Sequence, residues 1–526
     1  MKRVRIALVA GVLAVPLAAA GPAAAHDHGL RAKDDHYRVR AGAAVHRNVL
    51  GNDRGATAVV RHTAAAHGSV DLAADGTLRY TPAPGFHGRD SFTYTVSDAV
   101  KLYPTDLEPL ATIGGVDLKG GAYGSALTPV PGERDEFYGL TDRGPNVDAP
   151  DGGKIEPLPA FTPAIGKFRL RDRKAVLEKK IPLRAADGTP YNGQVSPLAD
   201  TGEKIVDLDG KTLPQSPYGY DPEGLVAQKD GTFWVSDEYG PFITHFGRDG
   251  RALERLSPFD GSLPAELKYR VPNKGMEGLA LTPDGRTLVG VMQSALQQPD
   301  LTKKPGNVTT LRIVTVDLRT RATHEYLYLL DDPDTTGTAV SEITALSATR
   351  FLVDERDGDL EPGAFKKLFE IDLSGATDVG PRAAVPGATY NAVKGGLLVG
   401  GKSIDAYVGK DTTADATKDL AAAWIKPVGK KLHLDLGALV STLDPSGGFF
   451  GHDKVEGVAT TDGGRTVVIS NDNDFGINGV TNAAPPYALH VKTLPDGRQD
   501  DGEYLVVDTT RLPAASSTAT VTVDVR

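Results

Sequence analysis

Asp221-Pro222-Glu223-Gly224-Leu225-Val226 is followed, after a turn, by Phe233-Trp234-Val235-Ser236-Asp237-Glu238. A glutamate opens a short apolar run, a turn intervenes, and a second β-type run ends in carboxylates. The order recurs in Met276-Glu277-Gly278-Leu279-Ala280 with Leu288-Val289-Gly290-Val291-Met292-Gln293-Ser294. It recurs again in Ser341-Glu342-Ile343-Thr344-Ala345 with Phe351-Leu352-Val353-Asp354-Glu355-Arg356. A fourth copy is Val455-Glu456-Gly457-Val458-Ala459 with Val467-Val468-Ile469-Ser470-Asn471-Asp472. The glutamates step by 54, 65 and 114 residues, and the last step is twice 57, so a degenerate unit is expected between, at 394–406. Gly124-Ser125-Ala126-Leu127 with Glu136-Phe137-Tyr138-Gly139-Leu140-Thr141-Asp142-Arg143 supplies an earlier one. Six units, each long enough for four strands, predict a six-bladed β-propeller. A β-helix or a sandwich array would repeat at shorter intervals.

The composition agrees with an all-β class. Sixty Gly and 36 Pro punctuate the 526 residues, and turn signals such as Pro283-Asp284-Gly285 precede short β-type runs. The best helical stretch, 414–425, is short. The propeller is expected over 108–512. Residues 36–98 read as a small β-sandwich, and Asp90-Ser91-Phe92-Thr93-Tyr94-Thr95-Val96-Ser97-Asp98 resembles the cadherin-like, Ig-type modules of bacterial surface and secreted proteins. In such modules an alternating Thr/Val strand follows the Ser-Asp turn. Here the matching strand, Ser517-Thr518-Ala519-Thr520-Val521-Thr522-Val523-Asp524-Val525, stands at the C-terminus. The propeller is therefore expected to be inserted in a sandwich made of 36–98 and 515–526, as surface loops permit.

The chain opens Met1-Lys2-Arg3-Val4-Arg5 before an apolar, Ala-rich run, and Ala23-Ala24-Ala25 offers a cleavage site. This reads as a signal peptide over 1–25, and so as a secreted, extracellular protein. No later run is long and apolar enough to span a bilayer. The absence of Cys removes thiol nucleophiles and zinc–thiolate sites, and a net charge of −10 argues against nucleic acid as a partner. The expected partner is a small anionic substrate; the sandwich is a candidate for cell-envelope contact, and a monomer is expected.

No Gly-x-Ser-x-Gly elbow, P-loop or His-Glu-x-x-His pair occurs. What remains is acidic. Equivalent positions of successive blades become neighbours at a channel mouth, which makes Glu223, Glu277, Glu342 and Glu456 one expected ring, and Asp237, Glu238, Asp354, Glu355, Asp472 and Asp474 another. Carboxylates in that number resist joint ionisation without a cation among them, and hard oxygen donors suit Ca²⁺. Glu223, Asp237, Glu277, Glu342, Asp354, Glu355, Glu456 and Asp472 are the candidate metal ligands. Arg143, Lys274, Arg356 and Lys454 are interleaved with them. Arg143, Lys274 and Arg356 are candidate clamps for substrate oxygens, and Glu238 a candidate acceptor of the water proton. Weaker signals are His26-Asp27-His28, His452 beside Asp453, and the partial calcium loop Asp207-Leu208-Asp209-Gly210.

Several of these segments carry a family resemblance: Ile113-Gly114-Gly115, Leu140-Thr141-Asp142-Arg143-Gly144-Pro145, Asp221-Pro222-Glu223-Gly224, Ser236-Asp237-Glu238-Tyr239-Gly240-Pro241, Lys274-Gly275-Met276-Glu277-Gly278-Leu279 and Asp354-Glu355-Arg356-Asp357. Over about 110–508 the chain resembles the phytase-like family, described as having esterase-like activity. The resemblance implies a secreted hydrolase of phosphate esters, phytate among them, working with calcium. A propeller lactonase or carboxylesterase using one Ca²⁺, and a calcium-stiffened surface-binding module without activity, are the alternatives. Basic residues among the acids favour phosphate over lactone.

Overall fold

The computed structural model describes residues 29–200, 202–409 and 412–526. The expected signal peptide and the His26-Asp27-His28 segment lie outside the described residues. Among the described residues no helix is long and apolar enough to cross a membrane.

The repeat unit is a four-stranded antiparallel sheet, and among the described residues there are five of them. Blade 1 comprises Ala126–Pro129, Glu136–Leu140, Ala164–Arg171 and Lys174–Pro182. Blade 2 comprises Pro222–Ala227, Phe233–Asp237, Ile243–Phe246 and Ala252–Leu256, and blade 3 Met276–Leu281, Thr287–Met292, Thr310–Asp317 and Thr323–Leu329. Blade 4 comprises Ala339–Ala345, Arg350–Arg356, Lys366–Asp372 and Gly429–Asp435. Blade 5 takes Val455–Ala459, Thr466–Asn471 and Glu503–Asp508 from late in the chain, and its outermost strand, Val100–Pro104, from before blade 1. That strand pairs Val507 with Val100 and Glu503 with Pro104, so the ring is closed by chain segments about 400 residues apart. The propeller therefore starts ahead of the expected residue 108.

The expected sixth blade does not form. Its residues belong to an insertion between the third and fourth strands of blade 4, where Ala388–Asn391, Gly396–Val399 and Lys402–Ser403 make a small sheet of their own. Helix Thr413–Ala422 packs into the same apolar cluster, through Ala416 and Leu420. The insertion is anchored on blade 3 by buried Asp405, which accepts from Arg312 at 2.9 Å, Thr310 at 2.5 Å and the Leu296 amide at 3.1 Å. Removing one partner of such a buried pair costs about 3–5 kcal/mol. The 114-residue step is one blade lengthened by an insertion.

The propeller is inserted in the sandwich. Ser516–Val525 lies between Asp35–Val39 and Gly88–Ser97, pairing parallel with the first and antiparallel with the second from Ser516↔Ser97 to Val525↔Gly88. Alternation explains the fit: Ala519, Val521, Val523 and Val525 are buried against Phe92, Tyr94, Val96 and Leu78. The sandwich in turn packs Ala58 and Val60 against Leu352, Leu368 and Leu505 of blades 4 and 5.

Truncation after Leu512 removes the central strand of the larger sandwich sheet and exposes two new edges. The sandwich is expected to become sensitive to limited proteolysis while the five-bladed ring retains its cooperative melt. Loss of both transitions together would show that the ring depends on the strand.

Candidate functional site

Four inner strands carry the same irregularity. The register slips by one residue between Pro222 and Leu225, Met276 and Leu279, Val340 and Glu342, and Val455 and Gly457. In blades 2, 3 and 5 the slipped residues are Glu-Gly. The glycine is required by contact with the next blade. A Cβ on Gly224 would stand 2.5 Å from the Glu277 carbonyl oxygen, and one on Gly278 would stand 2.3 Å from the Ile343 nitrogen. The bulge re-aims the preceding glutamate, and Glu223, Glu277 and Glu456 all face one cavity of about 640 Å³. On the second strands, Glu238, Gln293, Arg356 and Asp472 share a register position and line the same cavity. Blade 1 adds Asp142 and Arg143, and Asp221, Lys274, Lys454 and Asp474 also line it.

Four expected ligands are elsewhere, for a period-two reason. Asp237 and Glu355 stand one residue before the lining position. Asp237 accepts from the Gly240 amide at 2.5 Å. Glu355 is bound by Lys430 and the Tyr328 hydroxyl, each at 2.6 Å, between blades 3 and 4. Blade 4 is offset by one. Val340 pairs with Glu355 and Glu342 with Asp354, as Val455 pairs with Asn471 and Gly457 with Ser470. Ser341 thus occupies the glutamate position, Glu342 the glycine position and Asp354 the serine position. Glu342 turns inward and accepts the Ile343 amide at 2.9 Å and the Leu127 amide at 3.5 Å. Asp354 is buried with neither oxygen hydrogen-bonded; burial drives both carboxyls well above the usual carboxylate range. The absence of glycine at 343 is the sequence signal for this slip.

Asp221, Glu223 and Glu238 bring carboxylate oxygens within 4.8 Å of one another, all buried. Asp221 stands in the sequence motif but carries no mark there of being a ligand. Its oxygens accept the Arg143 amide at 3.1 Å and face the Arg143 Nε at 3.7 Å. Glu223 and Glu238 make no ion pair among the described residues. Two like charges about 4 Å apart repel by about 4 kcal/mol at an effective dielectric near 20, so the trio needs protons or a cation. Burial, then Asp221 and Glu277, hold Glu223 well above the usual range. Burial, then Asp221, pushes Glu238 up to about 7. An all-oxygen donor set of buried, under-compensated carboxylates fits Ca²⁺.

The cations differ in how far they are committed. Arg143 is buried, donates to the Tyr239 hydroxyl and pairs with Glu203 at 3.4 Å. It stands behind the trio. Arg356 pairs with Glu456 and donates to Ser341 Oγ at 3.0 Å. Lys454 lies between Asp472 at 3.2 Å and Asp474 at 2.5 Å. Lys274, exposed at the rim, donates to a neutral acceptor, Gln293 Oε1, at 3.0 Å. Gln293 in turn donates to Glu238 at 3.2 Å and to Glu277. Asn273 and Asp474, both in the lining, adopt left-handed backbone with φ of 54° and 48°. Such conformations persist where surrounding contacts over-determine them and gather at functional sites. The other weak signals are structural: Asp207 accepts the Asp209 and Lys211 amides of its own turn, and His452 is buried between two carboxylates.

A family model described as phytase-like, esterase-like activity of phytase, matches residues 120–475. The chain belongs to the phytase-like family. A bacterial Ig domain model matches residues 27–105. An uncharacterized secreted protein of Arthroderma benhamiae is 30% identical to this phytase-like chain over 227 residues, 34% of this chain and 44% of that protein. The match thus spans less than half of that relative. The PQQ-bound aldose sugar dehydrogenase of Streptomyces coelicolor is 12% identical, with 78% of this chain and 98% of that one covered at a TM-score of 0.27. Virginiamycin B lyase of Staphylococcus aureus is 12% identical, covering 88% and 99% at a TM-score of 0.26. Likenesses of that size carry no argument about chemistry.

Glu223→Gln is expected to weaken Ca²⁺ binding roughly tenfold or more by calorimetry, because ligand charge sets affinity in such sites. Glu342→Gln should leave that affinity unchanged. Equal losses in both variants would contradict the assignment of the trio.

Proposed function

We propose that this phytase-like chain is an exported, Ca²⁺-dependent phosphoesterase that works at the channel mouth. The observation that carries the reading is the trio Asp221, Glu223 and Glu238, set in a cavity whose rim presents Lys274 and Arg356. The trio would hold the cation, which when bound supplies charge neutralisation of a phosphoryl oxygen and a more acidic water. Arg143 holds Asp221 through its amide and guanidinium, so it positions the trio. Lys274, committed to no carboxylate, is free to receive a non-reacting phosphoryl oxygen. Arg356 faces the same space from the opposite blade.

Glu238 lies within the trio, so the proton-accepting role expected of it passes to Glu277. Burial and Glu238 hold the Glu277 carboxyl well above the usual range, and a cation bound at the trio would have to draw it down first. Gln293 holds the Glu277 carboxylate beside Glu238 and outside the trio. The cavity wall is charged rather than apolar, which supports an anionic ester over a lactone.

A panel of phosphomonoester, phytate, phosphodiester and lactone substrates, assayed with calcium and with chelator, tests the reading. Phosphate-ester turnover that chelator abolishes is expected, and Lys274→Met should raise KM about tenfold while changing kcat less. Turnover of the lactone alone, or activity indifferent to chelator, would contradict it.

A further inference from the structure

A buried line of alternating charge runs from the interior of blade 5 to the cavity wall. His452 Nε2 lies 3.1 Å from Glu503 and its Nδ1 lies 2.8 Å from Asp500. Asp500 is 3.2 Å from Lys492, and Lys492 is 2.6 Å from Asp474. Asp474 is 2.5 Å from Lys454, which also reaches Asp472 at 3.2 Å. His452 and Asp500 are fully buried and the Lys492 side chain is 3% exposed, whereas Lys454 is 34% exposed and lines the cavity. Every cation in the line is shared: His452 and Lys454 between two carboxylates each, and Lys492 among three. The position of each ammonium is therefore a balance, and in a low-dielectric interior a change at one end is poorly screened.

We propose that His452 is a positioning residue that acts through this line on Lys454, setting how far the Lys454 ammonium is available to an anion in the cavity. The proposal rests on the reading that the cavity takes an anionic ester. With an imidazolium at 452, Asp500 is satisfied from one side and Lys492 is left to Asp474, which relaxes its hold on Lys454. With a neutral imidazole, Asp500 draws Lys492 toward itself, and Asp474 falls back on Lys454 and withdraws it from the cavity.

The other charged groups around His452 are few. Arg498 pairs with Glu503 at 3.3 Å, Lys492 also pairs with Asp453 at 2.7 Å, and Asn471 lies 3.0 Å from Nδ1. Burial alone would lower the imidazole pKa; Asp500 and Glu503 override it and raise it to about 9. Burial likewise opposes the charge on Lys454, yet Asp474 and Asp472 hold it well above its ordinary value, so Lys454 stays charged while His452 titrates.

The test uses the full chain with ¹³Cε-labelled lysine, the Lys454 resonance being assigned from its loss in Lys454→Arg. In the wild-type protein the Lys454 resonance is expected to shift with the midpoint of the His452 imidazole, near pH 9. In Lys492→Met, His452 should still titrate while Lys454 no longer follows. A Lys454 resonance that stays flat through the His452 transition of the wild-type protein overturns the proposal, and this arm needs no variant to fold beyond the one used for assignment. Equilibrium dialysis of sulfate, dianionic throughout, with calcium present supplies the second readout. Binding should weaken roughly two- to thirtyfold from about pH 8 to about pH 10 in the wild type, with no such step in His452→Gln. Sulfate affinity that is the same at both pH values also overturns the proposal. Sulfate that binds at neither pH overturns the anionic-ester reading and the proposal with it, whereas a flat lysine resonance with intact sulfate binding overturns the proposal alone.

Discussion

Five inner strands meet around one axis, and at three of them the backbone comes closer to its neighbours than a side chain allows. That contact is the constraint on which the rest of the molecule depends. At Gly224, Gly278 and Gly457 any Cβ would overlap the neighbouring blade or the adjoining serine hydroxyl. The chain meets the constraint with a one-residue bulge, and the bulge has a chemical by-product: the residue before each glycine is pushed to the channel mouth. Three glutamates from three blades are gathered in this way without any dedicated binding loop. Ser236 and Ser470 brace the same junctions, donating to the carbonyl oxygens of Glu277 and Gly124 at 2.5 and 3.2 Å.

In blade 4 the same pattern is shifted by one residue, and its side chains change places accordingly. With Glu342 where the others have glycine and Asp354 where they have serine, the blade keeps two carboxyls out of the cavity lining and leaves Arg356 in it, donating to Ser341 Oγ. Blade 4 therefore gives the cavity a guanidinium, while blade 2 gives it the trio.

Much of this is legible in the sequence. The Glu-Gly repeats, the turn signals and the C-terminal Thr/Val strand point to an all-β propeller interrupting a sandwich, because each is a local pattern with a local cause. The blade count is not legible, since a 114-residue step is the same number whether it holds a missing blade or an insertion. Nor is the register of blade 4: a glutamate aligned with its counterparts carries no mark of facing the other way except the missing glycine. Asp221, two residues before Glu223, belongs with Glu223 and Glu238 only because the bulge folds the strand there. His452 reads as a surface-loop residue, since nothing local announces that Asp500 and Glu503, about 50 residues later, enclose it.

The cation site proposed for Asp221, Glu223 and Glu238 is built by one blade, from its bulged inner strand and the end of its second strand. Anomalous diffraction from crystals grown with calcium tests it most directly. A peak is expected among those three carboxylates, with oxygen ligands at about 2.3–2.6 Å. Density showing the three carboxylates bonded to one another, with calcium bound elsewhere or not at all, would contradict it.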